Sequence, residues 1–160
     1  IPKFHKQVCS QNKKVWKPLR TTITKIFSGG VPVDEIHPGG SMAIATTLDP
    51  TIVKSDSLTG SLVGISGKLP QIYNQISLST SLLERVVGIK DEIEVKPLAK
   101  GEVLMLNVNS AATVGVVTDP SKKNTTCVLK KPIAANPGDR ITISRRVGDR
   151  FRLIGYGILK

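Results

Sequence analysis

Three groupings in this 160-residue chain have residue types that could do chemistry. The stretch GISGKLP (64–70) has the glycines and the lysine of a phosphate-cradling loop. Such a loop needs a glycine, four further residues, then Gly-Lys-Ser/Thr, so that successive amides and the lysine surround the phosphates. Here Leu62 stands at the first position and Leu69 follows Lys68, leaving no hydroxyl for magnesium, so the pattern fails. His5 and Cys9, spaced i, i+4, are the nucleophile-and-base candidate. They lie in a Lys-rich opening segment with no oxyanion site beside them. Neither His5 nor His37 stands near an acidic or cysteine cluster with metal-ligand spacing. Asp34, Glu35, Asp49 and Asp56 read as loop acids that stabilise turns. No catalytic residue, cofactor site or metal site is expected.

Binding chemistry is better represented. Lys and Arg number 23 against 12 Asp and Glu, a net charge of +11. That imbalance attracts nucleic acid, an anionic membrane or an acidic partner. The cations begin with Lys3, Lys6, Lys13, Lys14, Lys17 and Arg20 and continue through Lys122, Lys123, Lys130, Lys131 and Arg140. The ending SRRVGDRFRLIGYGILK (144–160) adds Arg145, Arg146, Arg150 and Arg152. Arginine on a hairpin can serve only solubility and edge protection. Four together in so basic a chain also read as a surface for RNA or phosphate. Aromatics are just 4% of the chain, too few to stack successive bases, so any RNA contact would read shape and backbone.

The elements that would position these residues read as strands. Hydrophobic residues at 39% support a packed core, and with few aromatics that core must be built from Ile, Val, Leu and Ala. Turn signals SGG (28–30), PGG (38–40), LDP (48–50), SGKLP (66–70), TDPSKKN (118–124) and NPGD (136–139) separate β-rich runs. The runs are 20–27, 41–48, 60–66, 102–109, 113–118, 125–133, 140–146 and 150–158. Gly148-Asp149 supplies a hairpin turn between the last two. LSTSLLERVVG (78–88) fits a helical turn or a strand plus turn equally well. The fold class is all-β, with a boundary near 66–74, where Pro70 cannot donate to a sheet. No apolar run is long enough to span a membrane. Cys9 and Cys127 lack a CxxC companion, so a reduced, intracellular chain is expected.

From about residue 18 onward the motifs follow a recognisable order. TKIFS (24–28), PGGSMAIATTLDPTIVKSD (38–56), GSLVG (60–64), LLERVVG (82–88), LMLNVNSAATVGVVT (104–118) and RITISRRVGDRFRLIGYGIL (140–159) together resemble the gamma subunit of the archaeal/eukaryotic translation initiation factor 2. The resemblance implies two tandem small β-barrels like domains II and III of elongation factor Tu, with residues 1–70 a partial domain II and 71–160 domain III. The GTPase domain, which would hold GTP and magnesium, is expected to lie outside the chain, leaving this fragment no enzyme. The parent would carry initiator methionyl-tRNA to the small ribosomal subunit in the cytoplasm. An alpha subunit would dock on domain II and a beta subunit on the GTPase domain.

By the same resemblance, Lys25, Phe27, Ser28, Gly39, Gly40 and Ser41 would border the pocket for the aminoacylated 3′ end of the tRNA. Glycines there would let a nucleotide approach the backbone, and a lysine would neutralise phosphate. Arg145, Arg146, Arg150 and Arg152 would face ribosomal RNA, tRNA or an acidic surface of the GTPase domain. Two stretches depart from the family pattern: SDSLTG (55–60) lacks a basic residue expected toward the tRNA 5′ end, and VPVDEIH (31–37) is short. Charge alone supports a second reading, a free-standing basic β-barrel that binds RNA or the ribosome.

Overall fold

A computed structural model describes residues 2–10, 13–88, 93–121 and 123–160, with side chains from Leu19 onward. Among the described residues strand is the dominant secondary structure. In order it runs β1 (Pro2–Ser10), β2 (Lys13–Arg20), β3 (Ile23–Ser28), β4 (Val31–Val33) and β5 (Met42–Thr46). A one-turn helix, α1 (Pro50–Val53), and a 3-10 turn (Lys54–Asp56) follow. Then come β6 (Gly64–Ile65), β7 (Gln71–Leu82), β8 (Val103–Val108), β9 (Ala111–Pro120), β10 (Asn124–Ala135), β11 (Arg140–Val147) and β12 (Arg150–Leu159). The chain divides into two units, Ile1–Leu69 and Pro70–Lys160.

In the first unit the described strands make two three-stranded sheets, β2-β1-β6 and β4-β3-β5. The Lys-rich opening, which the sequence leaves outside the strand set, is a long hairpin with Lys3 opposite Arg20 and Ser10 opposite Lys13. The run at 60–66 contracts to the two residues of β6, which pair with the start of β1. Asp49, read as a turn acid, caps α1: its carboxylate accepts from the Thr51 amide at 2.8 Å and the Thr51 hydroxyl at 2.6 Å. Pro50 sits at the first helical position, where its missing N–H is no loss.

The second unit is a closed barrel of strand order β10-β7-β12-β11-β8-β9. Alternation along each strand sends Ile76 and Leu78, Leu104 and Leu106, Ile141 and Ile143 inward, all essentially without solvent exposure. A six-stranded cylinder has a lumen that such side chains fill completely. The ambiguous run at 78–88 continues β7 as far as Leu82 and is not helical. Two buried hydroxyls are satisfied: Thr113 Oγ1 donates to the Lys131 carbonyl at 2.8 Å, and Thr125 meets Thr80 at 3.3 Å. The Cys127 thiol, free and wholly buried, has its pKa raised from 9.0 to about 11, chiefly by desolvation and secondarily by the charge of Glu102.

The barrel closes between β12 and β7, where Gly155 lies opposite Leu82 and Gly157 opposite Thr80. A Cβ on Gly155 would collide with the Ser81 carbonyl oxygen and stand 2.9 Å from Leu82 Cα, both backbone atoms that cannot swing aside. A Cβ on Gly157 would stand 2.9 Å from Leu78 Cβ.

Gly155→Ala is therefore expected to destabilise the barrel by about 1–3 kcal/mol, the range for overpacking, as read by urea denaturation. An unchanged midpoint would show that the seam can widen. For Cys127, both folded and unfolded chains keep the thiol proton below about pH 9. From there to about pH 11 only the folded chain keeps it, so stability falls as pH rises through that window. Relative to Cys127→Ala, the loss is expected to approach about 2–3 kcal/mol at the upper end; parallel stability curves for the two proteins would refute it.

Candidate nucleic-acid interface

Of the residues proposed around the aminoacyl end, Lys25, Phe27 and Ser28 lie on β3 of the sheet β4-β3-β5, and Gly39, Gly40 and Ser41 lie in the segment directly before β5. Gly29 and Gly30 form the two-residue turn that folds β4 back on β3, with Ser28 opposite Val31. Lys25 and Phe27, two apart, share one face of β3; Lys25 lies opposite Ala45, and Phe27 opposite both Pro32 and Ala43. Ser28 belongs to the other face and pairs with Met42, which brings it beside Ser41. Lys25 also borders a depression of about 400 Å³ together with Ile23, Ile26, Pro32, Val33 and Asp34. Asp34, read from sequence as a turn residue, lines that depression with Lys25, whereas Phe27, Ser28, Gly39, Gly40 and Ser41 do not.

The PGG bend lies directly before β5 and is exposed. Gly39 has φ 121°, a conformation that requires glycine. Gly40 does not: its φ is ordinary, and among the described residues a Cβ there would meet nothing within 4 Å. No demand of the fold accounts for a glycine at that position.

The four C-terminal arginines do not form one surface. β11 and β12 pair as a hairpin with Val147 opposite Arg150 across Gly148-Asp149. A register shift between Ile143 and Ser144 inserts Ile154 as an extra residue in β12. Beyond it Arg145 lies opposite both Arg152 and the buried Leu104, so these two arginines stand on the inward face at the barrel end. Arg145 is consumed there. Its Nε and one terminal nitrogen donate to the two oxygens of Glu102, and the guanidinium also donates to the carbonyls of Lys96 at 2.9 Å and Pro97 at 3.2 Å. Both side chains of this ion pair are over four-fifths buried. Arg152 lies close to Gly88, with NH1 3.1 Å from the position a Cβ would take.

Arg146 points the other way. It is exposed, donates to the Gly148 carbonyl at 3.1 Å and approaches Asp149 at 3.7 Å. Arg150 is exposed at the hairpin tip. Arg140 lies over the Tyr156 ring, 3.8 Å from its centre, a cation–π contact that the sequence does not reveal.

The other candidate chemistry is not assembled. His5, Cys9 and the lysines before Leu19 lie outside the described side chains, and Lys122 lies outside the described residues. His37 contacts Glu35 at 3.1 Å, both exposed. Around GISGKLP the Lys68 amide closes a turn onto the Ile65 carbonyl at 3.0 Å, and β7 follows instead of a helix. That geometry does not fit a nucleotide. Among the described residues no three His, Cys, Asp or Glu come together as a metal site, and no helix is long and apolar enough to cross a membrane.

A closed aliphatic barrel with cations on its outer strands and loops, in a chain whose other unit is also built mainly of strands, defines an all-β class of protein. Sequence comparison gives a narrower address. The family described as Initiation factor eIF2 gamma, C terminal, matches residues 74–159. The chain is 49% identical over 154 residues to translation initiation factor 2 subunit gamma of Methanocaldococcus jannaschii, covering 96% of this chain and 38% of that protein. It is 47% identical to the same subunit of Methanothermobacter thermautotrophicus, again over 96% of the chain and 38% of the relative. For Pyrococcus horikoshii the identity is 46%, over 91% of the chain and 35% of the relative. The chain belongs to the translation initiation factor 2 gamma family and spans about 38% of the length of such relatives.

The clamp on Arg145 generates a test. Arg145→Ala leaves the Glu102 carboxylate largely buried without its counter-charge, held only by the Ala99 amide at 2.9 Å, and is expected to cost about 2–3 kcal/mol. Arg146→Ala is expected to change stability by less than about 0.5 kcal/mol. Equal effects of the two substitutions in chemical denaturation would contradict the assignment.

Proposed function

We propose that this chain is the barrel region of a translation initiation GTPase that carries initiator methionyl-tRNA to the small ribosomal subunit. The first unit borders the aminoacylated 3′ end through Lys25, Phe27, Ser28, Gly39, Gly40 and Ser41, and it also receives the alpha subunit. GTP and magnesium belong to the nucleotide domain of the longer factor, which also carries the beta subunit. The work is done in the cytoplasm. The chain itself holds partners and performs no chemistry. The observation that carries this reading is Gly40, a glycine that neither backbone angle nor neighbours require, two residues before Met42, which pairs with Ser28 on the strand that also carries Lys25. Close approach of a ribose or base to the backbone would account for it, with the Lys25 ammonium set against phosphate.

At the far end of the chain, the exposed Arg146 and Arg150 face RNA or the nucleotide domain, and Arg152, on the inward face, would meet either only at the rim of the barrel end. Arg145 takes part only by fixing the loop that it holds. The net charge of +11 favours a second reading, a free-standing basic barrel that binds RNA without partners. That reading requires tight RNA binding by these 160 residues alone, weakening steeply with salt.

The test is binding of methionylated initiator tRNA to the trimeric factor assembled with the full-length gamma subunit. Gly40→Val and Lys25→Glu are each expected to weaken binding about tenfold or more, a loss of roughly 1.4 kcal/mol. Association with the alpha subunit should be unchanged. Wild-type affinity in both variants would remove the site. Salt-sensitive RNA binding by the 160-residue chain alone, without alpha-subunit association, would favour the second reading.

A further inference from the structure

The outer wall of the barrel is not uniform. On β7 the outward positions are Gln75, Ser77, Ser79 and Ser81, the polar pattern of a solvated face. On β8, β9 and β10 the same wall is aliphatic in its middle, between Asn107 at one end and Thr118 and Thr126 at the other. Val103 lies opposite Val116, and Val116 opposite Val128, so three valines form an unbroken row across three strands. They are 49%, 40% and 44% exposed. In the next row Met105 pairs with Val114, and both line a depression of about 220 Å³ that Lys130 and Lys131 also border. Scattered apolar residues on a surface need no explanation, but a contiguous row beside a depression does.

The two lysines are held in place. They sit in the β10 bulge, where the pairing with β7 breaks between Val128 and Ile133. The bulge is pinned by Thr113, whose hydroxyl donates to the Lys131 carbonyl at 2.8 Å and accepts from the Lys131 amide at 3.2 Å. Among the described residues no carboxylate pairs with either ammonium group.

These features select an occupant. A closed barrel has no free edge here, so strand addition is excluded and the occupant lies on the face. Valine offers no ring for base stacking, which argues against single-stranded RNA. A second copy would bring another charge of +11 to a face already bordered by lysines. We propose that this face docks an acidic, amphipathic segment of another protein. Its apolar side lies on the valine row, one anchor side chain enters the depression, and its carboxylates meet Lys130 and Lys131.

The experiment titrates the isotope-labelled 160-residue chain with two synthetic amphipathic helical peptides that share a Leu/Phe face. One carries flanking Glu and the other flanking Lys, and binding is followed by two-dimensional NMR. The Glu peptide is expected to give saturable shifts at the amides of Val103, Met105, Val114, Val116 and Val128. Lys130→Glu with Lys131→Glu should weaken it about tenfold or more and bring the Lys peptide to comparable affinity, roughly a 1.4 kcal/mol exchange. Val116→Asp, at an exposed position, should abolish binding while leaving the remaining spectrum folded. The proposal is overturned by the absence of saturable shifts on this face or by equal binding of both peptides to the unmodified protein. Self-association that Val116→Asp removes would instead identify a second copy, and shifts induced there by an RNA oligomer would identify RNA; either overturns it.

Discussion

Everything in the second unit depends on how closely β12 can approach β7. Six strands enclose a narrow lumen, and the β12–β7 pairing has to bring two backbones together over the side chains that fill it. Gly155 and Gly157 make that possible by presenting no Cβ to the Ser81 carbonyl, Leu82 and Leu78. Once the cylinder is shut, each residue is either lining or wall. Leu104, Leu106, Ile141 and Ile143 become core, while Met105, Ser144 and Thr142 become surface. The functional surfaces of the barrel are thus set by closure, before any particular cation or valine is considered.

Much of this was legible in the residues. Alternation in EVLMLNVN and RITISRR gives β8 and β11 with their inward sides, and the turn chemistry of Gly148-Asp149 gives the hairpin. Other elements carry weak local signals. The opening hairpin is so rich in lysine that its apolar alternation is hard to see. β4 is three residues long and contains Pro32. In β7, QIYNQISLSTSL has an outer face of serines, and its end merges into a sequence that fits a helix as well as a strand. Local pattern could not decide there; pairing with β10 and β12 does.

The candidate sites divide in the same way. Strand period two already places Lys25 and Phe27 on one face and Ser28 on the other. The face taken by Arg152 was not legible, because it turns on Ile154, an inserted residue in β12 that only the pairing reveals. Arg145 reaches the barrel end by the unbroken alternation of Ile141 and Ile143 on β11; what the sequence hides is its partner Glu102, far away along the chain. The valine row is likewise invisible along the chain, since its members come from three strands and align only through register.

The Ile154 bulge also makes the hairpin tip a two-position selector. Removing one residue of the tip, with loss of the bulge, would restore strict alternation on β12 and exchange lining for wall on that strand from Leu153 to the tip. Leu153 would move toward the barrel mouth and Arg152 would turn outward, while Arg145 on β11 would keep Glu102. Related chains that differ by a single residue in this hairpin can therefore present different charge patterns from nearly the same letters. Comparisons of basic surfaces across the family have to align strand register before they align sequence.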